Sequence, residues 1–224
     1  MFTDIARRYS RTARARRGEF LARHMMLKPD ERVLDLGGGT GHHFHSIFPN
    51  HRNVVIADVL TDDLKVARET YGYDTVQLPD GEERLPFADK EFDVVFCSSV
   101  LEHVTGAKND VGWTKDGAYF EAEGRKHQWA FAHEIRRIAK RYYVQTPYRY
   151  FPIESHSWLP GLIVSLPRPA LVRLLKFTNT FWPKQTAPDW RLLTLGEFSQ
   201  MFPDAKIERE KSLGFVKSLM AIKA

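Results

Sequence analysis

One cysteine, Cys97, stands in 224 residues. A lone thiol excludes an internal disulfide framework and any cysteine-rich zinc site, and a reducing compartment is its simplest setting. Long apolar runs are also missing. The longest, Trp158–Leu166, is broken by Pro160 and falls well short of the roughly 20 residues that cross a bilayer. The first residues are polar and arginine-rich, without the apolar core of a secretory signal, so a cytoplasmic location is expected. No repeat, low-complexity tract or Gly/Ser linker divides the chain. Hydrophobic residues at 43% and charged residues at 27% exclude a fibrous or disordered chain and suit one large soluble domain.

Acidic residues are scarce at the start. Residues 1–28 carry Arg7, Arg8, Arg11, Arg14, Arg16, Arg17, Arg23 and Lys28 against Asp4 and Glu19, a local charge of +6 that leaves the rest of the chain at −1 of the net +5. The expected organisation is a basic helical arm over 1–28 and a single domain over 29–224, with insertions at about 106–128 and 147–190. The arm's helix would span 4–26, with Ile5, Tyr9, Phe20, Leu21 and Met25 as docking side chains. It suits an anionic membrane surface or a phosphorylated substrate better than nucleic acid, and a solvated face is the plainer reading.

Beyond the arm, short apolar runs alternate with helical patterns. Strands are expected at 32–36, 53–58, 75–78, 92–97 and 141–145, and helices at 42–48, 62–71 (capped by Thr61), 129–139 and 169–181. Unbroken apolar strands between helices predict a parallel sheet covered on both faces. Two closing strands, 206–210 and 218–222, lie near enough in sequence to pair antiparallel. The polar stretch 106–126, with three glycines, reads as an insertion or lid.

The chemistry gathers at Asp35-Leu36-Gly37-Gly38-Gly39-Thr40-Gly41, between a strand and a helix. Glycines there admit positive φ and let a ligand approach the backbone. Asp58 ends the next strand, where a carboxylate binds a ribose diol. A dinucleotide fingerprint would place glycine where His42 stands, and Asp35 would face a pyrophosphate unfavourably. Both features favour S-adenosylmethionine.

VLDLGGGTG, Asp58 and LPDGEERLPFADKEFDVVFCSSVLEHV resemble the class I S-adenosylmethionine-dependent methyltransferases, most closely the branch with quinone-biosynthesis and other small-molecule enzymes. The resemblance implies a Rossmann-like α/β fold: a seven-stranded, mostly parallel sheet with an antiparallel last strand and helices on both faces. It implies cofactor contacts at Asp35, Gly37, Gly38, Gly39, Thr40 and Gly41 for the amino-acid end, and at Asp58 and Val59 for the ribose. Asp80 or Gly81 would lie beside the adenine, and Ser98 near the methionyl part. Family members place the adenine-contacting acid one residue nearer the LPF triplet than Asp80 stands.

Three groups follow the carboxyl ends of strands and are candidate bases, His103, Glu154 and His156; the expected general base is His156, with Glu154 as its orienting carboxylate. His42, His43 and His45 fit no common zinc spacing, and no metal is expected. Cys97 reads as core packing. The expected activity is methyl transfer to a small-molecule acceptor, whether sugar, lipid-linked or quinone-type. The alternatives are an RNA methyltransferase and a protein of this fold that binds the cofactor without catalysis.

Overall fold

The computed structural model describes residues 18–21 and 25–224, so most of the expected arm, Ile5 and Tyr9 included, lies outside the described residues. Seven strands form one sheet: β1 (Val33–Leu36), β2 (Val54–Asp58), β3 (Asp74–Gln77), β4 (Phe92–Ser98), β5 (Ala139–Pro147), β6 (Lys206–Ser212) and β7 (Phe215–Lys223). Their order is β3-β2-β1-β4-β5-β7-β6. All neighbours are parallel except β7, which runs antiparallel to both β5 and β6. The helices are α1 (His42–Ile47), α2 (Thr61–Tyr71), a single turn α3 (Lys108–Val111), α4 (Gly117–Ile138), α5 (Arg168–Thr178) and α6 (Leu195–Met201).

Strand alternation separates two cores. Leu34, Leu36, Val95, Cys97, Ile135 and Phe198 pack on one face of the sheet. Val33, Ile56, Phe44, Phe96, Tyr143 and Met220 pack on the other, joined by Leu21 and Met25 from the end of the arm segment. Phe96 and Tyr143 stack there with centroids 5.5 Å apart. Burying each such side chain stabilises the fold by about 1.5–3 kcal/mol.

Two elements depart from expectation. Thr61 is the first residue of α2 rather than its cap; Leu60 takes that position, and its N–H donates to Asp58 Oδ1 at 3.0 Å. The larger difference lies in 106–126. Its second half is the start of α4, a helix of 22 residues whose cap, Asp116, accepts from Tyr119 N–H at 3.0 Å. Phe120, Gly124, Gln128, Phe131 and Ile135 make its buried stripe, at helical spacing. Gly124 is needed for close approach, since a Cβ there would come within 2.9 Å of Arg191 Cδ. Thr194 and Glu197 form a capping box at the start of α6.

Arg191, buried behind α4, ties these pieces together. It pairs with Glu121 at 2.8 Å and Glu197 at 2.5 Å, and donates to Gln128 Oε1 at 3.0 Å. Gln128 in turn donates to the carbonyls of Leu101 and Arg191. The segment after β4 and the segment before α6 are thereby clamped to one helix.

Candidate active site

The parallel strands β1, β2 and β4 all point their carboxyl ends at one edge, where open α/β sheets bind ligands. Gly37, Gly39 and Gly41 turn the chain there with φ of 72°, 52° and 71°. The first turn is tight because of its neighbours: a Cβ on Gly37 would collide with Val100, and one on Gly38 with the Asp35 carboxylate. Asp58 is held in place by two backbone donors, Gly39 N–H to Oδ2 at 2.9 Å and Leu60 N–H to Oδ1 at 3.0 Å.

Asp35 is buried, and its Oδ2 accepts no hydrogen bond among the described residues. Burial first, and the charge of Asp58 second, push its carboxyl up to about 8. Such a group is completed by a cation. An amino-acid ammonium fits a turn that carries this buried carboxylate better than a phosphate would. The residues present therefore suit S-adenosylmethionine.

A cavity of about 300 Å³ opens beside the turn. Gly37, Asp58, Val59, Asp80 and Gly81 line it, as does His103. Asp80 Oδ2 accepts from Lys108 N–H at 2.9 Å, so the start of α3 anchors the loop after β3. Gly38, Gly39, Thr40 and Gly41 form the turn outside these walls. At the end of β4, Ser99 rather than Ser98 faces the cavity, and both hydroxyls donate to Gln145 Oε1 at 2.9 Å. His127, Phe131 and Asp189, none of them expected from sequence, also line it. His127 had a faint signal, its helical spacing to Phe131. Asp189 had none.

The three candidate bases come together, but only His103 reaches the cavity. Its Nδ1 lies 3.3 Å from Asp189 Oδ1, and the Asp189 carbonyl accepts from Thr105 Oγ1 at 2.7 Å. Desolvation opposes ionisation of Asp189, yet His103 beside it keeps the carboxyl below its usual range. His156 sits behind, edge-on to His103 with centroids 4.7 Å apart and stacked on Trp190 at 5.3 Å. Its Nδ1 is 2.6 Å from Glu154 Oε1 and its Nε2 is 3.7 Å from Glu102 Oε1. Burial disfavours the charge on His156, but Glu102 and Glu154 overcome it and hold the imidazole up to about 9. Glu154 is fixed by three further donors: the N–H of His156 and the N–H and hydroxyl of Ser157.

The histidines of α1 are engaged elsewhere. His42 and His45 lie 2.9 Å from the hydroxyls of Tyr71 and Tyr73. Cys97 is fully buried; burial first, then Glu102 and Asp35, raise its thiol well above the ordinary range, and it packs in the core.

Residues 34–113 match the family model of a methyltransferase domain. The curated relatives include the ubiquinone/menaquinone biosynthesis C-methyltransferase UbiE of Vibrio campbellii, 36% identical over 86 residues, or 35% of this chain and 33% of that protein. The protein of the same name from Xanthomonas campestris pv. campestris is 35% identical over 123 residues, 47% of each chain. The matched stretch thus spans a third to about half the length of these relatives. Among solved structures, the PH0226 protein from Pyrococcus horikoshii OT3 aligns with TM-score 0.55 and 16% identity over 91% of this chain and 85% of that one. Magnesium protoporphyrin IX methyltransferase from Synechocystis PCC 6803, solved with bound SAH, aligns with TM-score 0.51 and 14% identity over 95% and 83%. At such identities these structures establish the shared fold.

Proposed function

We propose that this chain, a class I S-adenosylmethionine-dependent methyltransferase by its fold and by the domain over residues 34–113, methylates a small, partly apolar acceptor held at the His103 end of the cavity. One observation carries the reading. The two acids expected to hold the cofactor, Asp35 and Asp58, flank a turn that opens directly into a cavity ending at His103 and Asp189.

The cofactor supplies an electrophilic methyl on a sulfonium, whose carbon–sulfur pair stays with sulfur as a neutral thioether when the methyl leaves. Asp35 would pair with its ammonium, Asp58 with the ribose hydroxyls, and the loop at Asp80 and Gly81 would border the adenine. Val59 would lie next to the ribose, and Ser99 takes the place expected of Ser98. His103 is placed to take the acceptor's proton while the acceptor's electron pair forms the new bond, and Asp189 orients the imidazole. His156 and Glu154 act behind it as positioning residues, because a histidine held protonated to about pH 9 is a poor base near neutrality.

Leu36, Leu78, Leu85 and Phe131 give the cavity apolar walls. They favour an aromatic or lipid-linked acceptor bearing an ionisable hydroxyl or an acidic carbon. The quinone-type acceptor named for the curated relatives belongs to this class. Among the described residues no helix is long and apolar enough to cross a membrane. Exposed Leu162, Phe177 and Phe181 beside α5, together with the basic arm, support peripheral contact with an anionic bilayer that carries such an acceptor.

Incubation with methyl-labelled S-adenosylmethionine and a panel of hydroquinones, catechols and sugars tests the proposal. Label is expected in a hydroquinone or catechol, with stoichiometric S-adenosylhomocysteine. Equal binding of NAD in calorimetry, or no binding of S-adenosylmethionine, would sink it.

A further inference from the structure

Behind His103 the chain gathers groups that proton transfer alone does not require. Glu102, His103 and His156 each offer a ligand atom within 4.8 Å of the others. They come from the 3₁₀ turn after β4 (Leu101–His103) and from the loop after β5, far apart in sequence.

We propose that Glu102, His103 and His156 bind one divalent transition-metal cation at the acceptor end of the cavity.

Two independent observations support this site. Both imidazoles have Nδ1 engaged by a carboxylate: Glu154 at 2.6 Å from His156 and Asp189 at 3.3 Å from His103. That leaves Nε2 of each as the coordinating nitrogen, the arrangement in which metal-bearing histidines are oriented and made more basic. The second observation is Glu102. Its side chain is fully buried; Oε2 accepts from Thr146 Oγ1 at 2.9 Å, while Oε1 accepts no hydrogen bond among the described residues. Oε1 faces His156 Nε2 at 3.7 Å, beyond hydrogen-bond reach, and a cation seated between the two would give this buried oxygen a direct partner.

Two imidazoles and one carboxylate suit zinc, iron, cobalt or manganese rather than magnesium or calcium. Coordination at about 2.0–2.2 Å needs the three ligand atoms to draw inward. His103 is free to do so, being about one-third exposed at the cavity wall. Three protein ligands leave coordination positions open toward the cavity. An acceptor oxygen bound there would ionise more readily, releasing its proton to solvent through the open cavity, so that no free His103 imidazole is needed to take it. The part about the acceptor rests on the proposed function; binding of the cation does not.

The test is titration of the full chain, stripped with EDTA and held at pH 8.5, with Co²⁺ followed by visible absorbance and Zn²⁺ as competitor. The alkaline pH favours neutral imidazoles, the form that binds a metal. One equivalent is expected to bind, with Glu102→Gln and His103→Ala each weakening it by at least about tenfold. Affinity for S-adenosylhomocysteine, measured in parallel, should stay the same. If Glu102→Gln does not fold, the partly exposed His103→Ala carries the comparison. No stoichiometric Co²⁺ binding by a chain that still binds S-adenosylhomocysteine would overturn the cation site and leave the methyltransferase reading standing. So would binding undiminished in His103→Ala, which would place the cation elsewhere. Failure to bind S-adenosylhomocysteine at all would strike the proposed function instead.

Discussion

The two ends of the cavity are built from different kinds of chain. At the cofactor end, Asp58 takes its donors from Leu60, two residues on, and from Gly39, nineteen residues back. At the other end His103 meets Asp189 across 86 residues, and Glu102 meets Thr146 across 44. The first end is set by strand–turn–helix units that form almost locally. The second exists only when the segments after β4 and after β5 have docked on α4. A local cradle can persist while the assembled wall changes, which lets one cofactor site serve many acceptors.

Removing His103 should separate the two ends most sharply. His103→Ala is expected to lower single-turnover methyl transfer by about 10²–10⁴-fold while leaving S-adenosylhomocysteine affinity near wild type. A matching loss of affinity would mean that the ends are one energetic unit. Asp58→Ala should act on the opposite end, weakening cofactor binding by about 1–3 kcal/mol in calorimetry as charge-assisted hydrogen bonds are lost. If turnover at saturating cofactor also collapsed, the proposed division of labour would be wrong.

A pH series sharpens the contrast further. The Asp35 carboxyl ionises near 3.8 in the unfolded chain and is pushed up to about 8 in the fold. The folded state therefore holds the proton longer, and the apo protein loses stability as pH rises between those values. An ammonium-bearing ligand favours the carboxylate, so its affinity should climb by up to about tenfold per pH unit on the way to pH 8. Asp35→Asn should flatten that rise in calorimetry. At the far end, His156 is also raised, from 6.5 to about 9. Its stabilisation is fully present below 6.5 and disappears through about 9, so thermal unfolding of Asp35→Asn should still weaken over that interval. The smallest effect belongs to neither end. Thr194→Ala removes the α6 cap and should cost about 1 kcal/mol, read as a lowered Tm.

What could be read from sequence follows the same divide. The glycine turn and the place of Asp58 are encoded within a few residues, and the structure has the turn after β1 and Asp58 at the end of β2. The start of α4 escaped because Glu121, Glu123, Arg125 and Lys126 dress its outer face and Gly124 interrupts it; its buried stripe makes sense only against Arg191. Glu102 was visible as part of a motif, but its burial against Thr146 and its closeness to His156 depend on β5 and the loop beyond. Asp189 had no local pattern to betray it.

The place of β7 carries a consequence for synthesis of the chain. β5 pairs with β4 on one side and with β7 on the other, and β7 follows the other six strands of the sheet in sequence, so it leaves the ribosome after them. Until residues 215–223 emerge, Tyr142 to Pro147 present an unpaired edge lined with Val144 and other buried side chains. Such an edge is a template for association with other chains. The hairpin of β6 and β7, turning at Leu213 and Gly214 with φ of 51° and 83°, forms locally once made. Its late arrival sets a window during translation in which a chaperone, or slow crowding, would decide the yield of native protein.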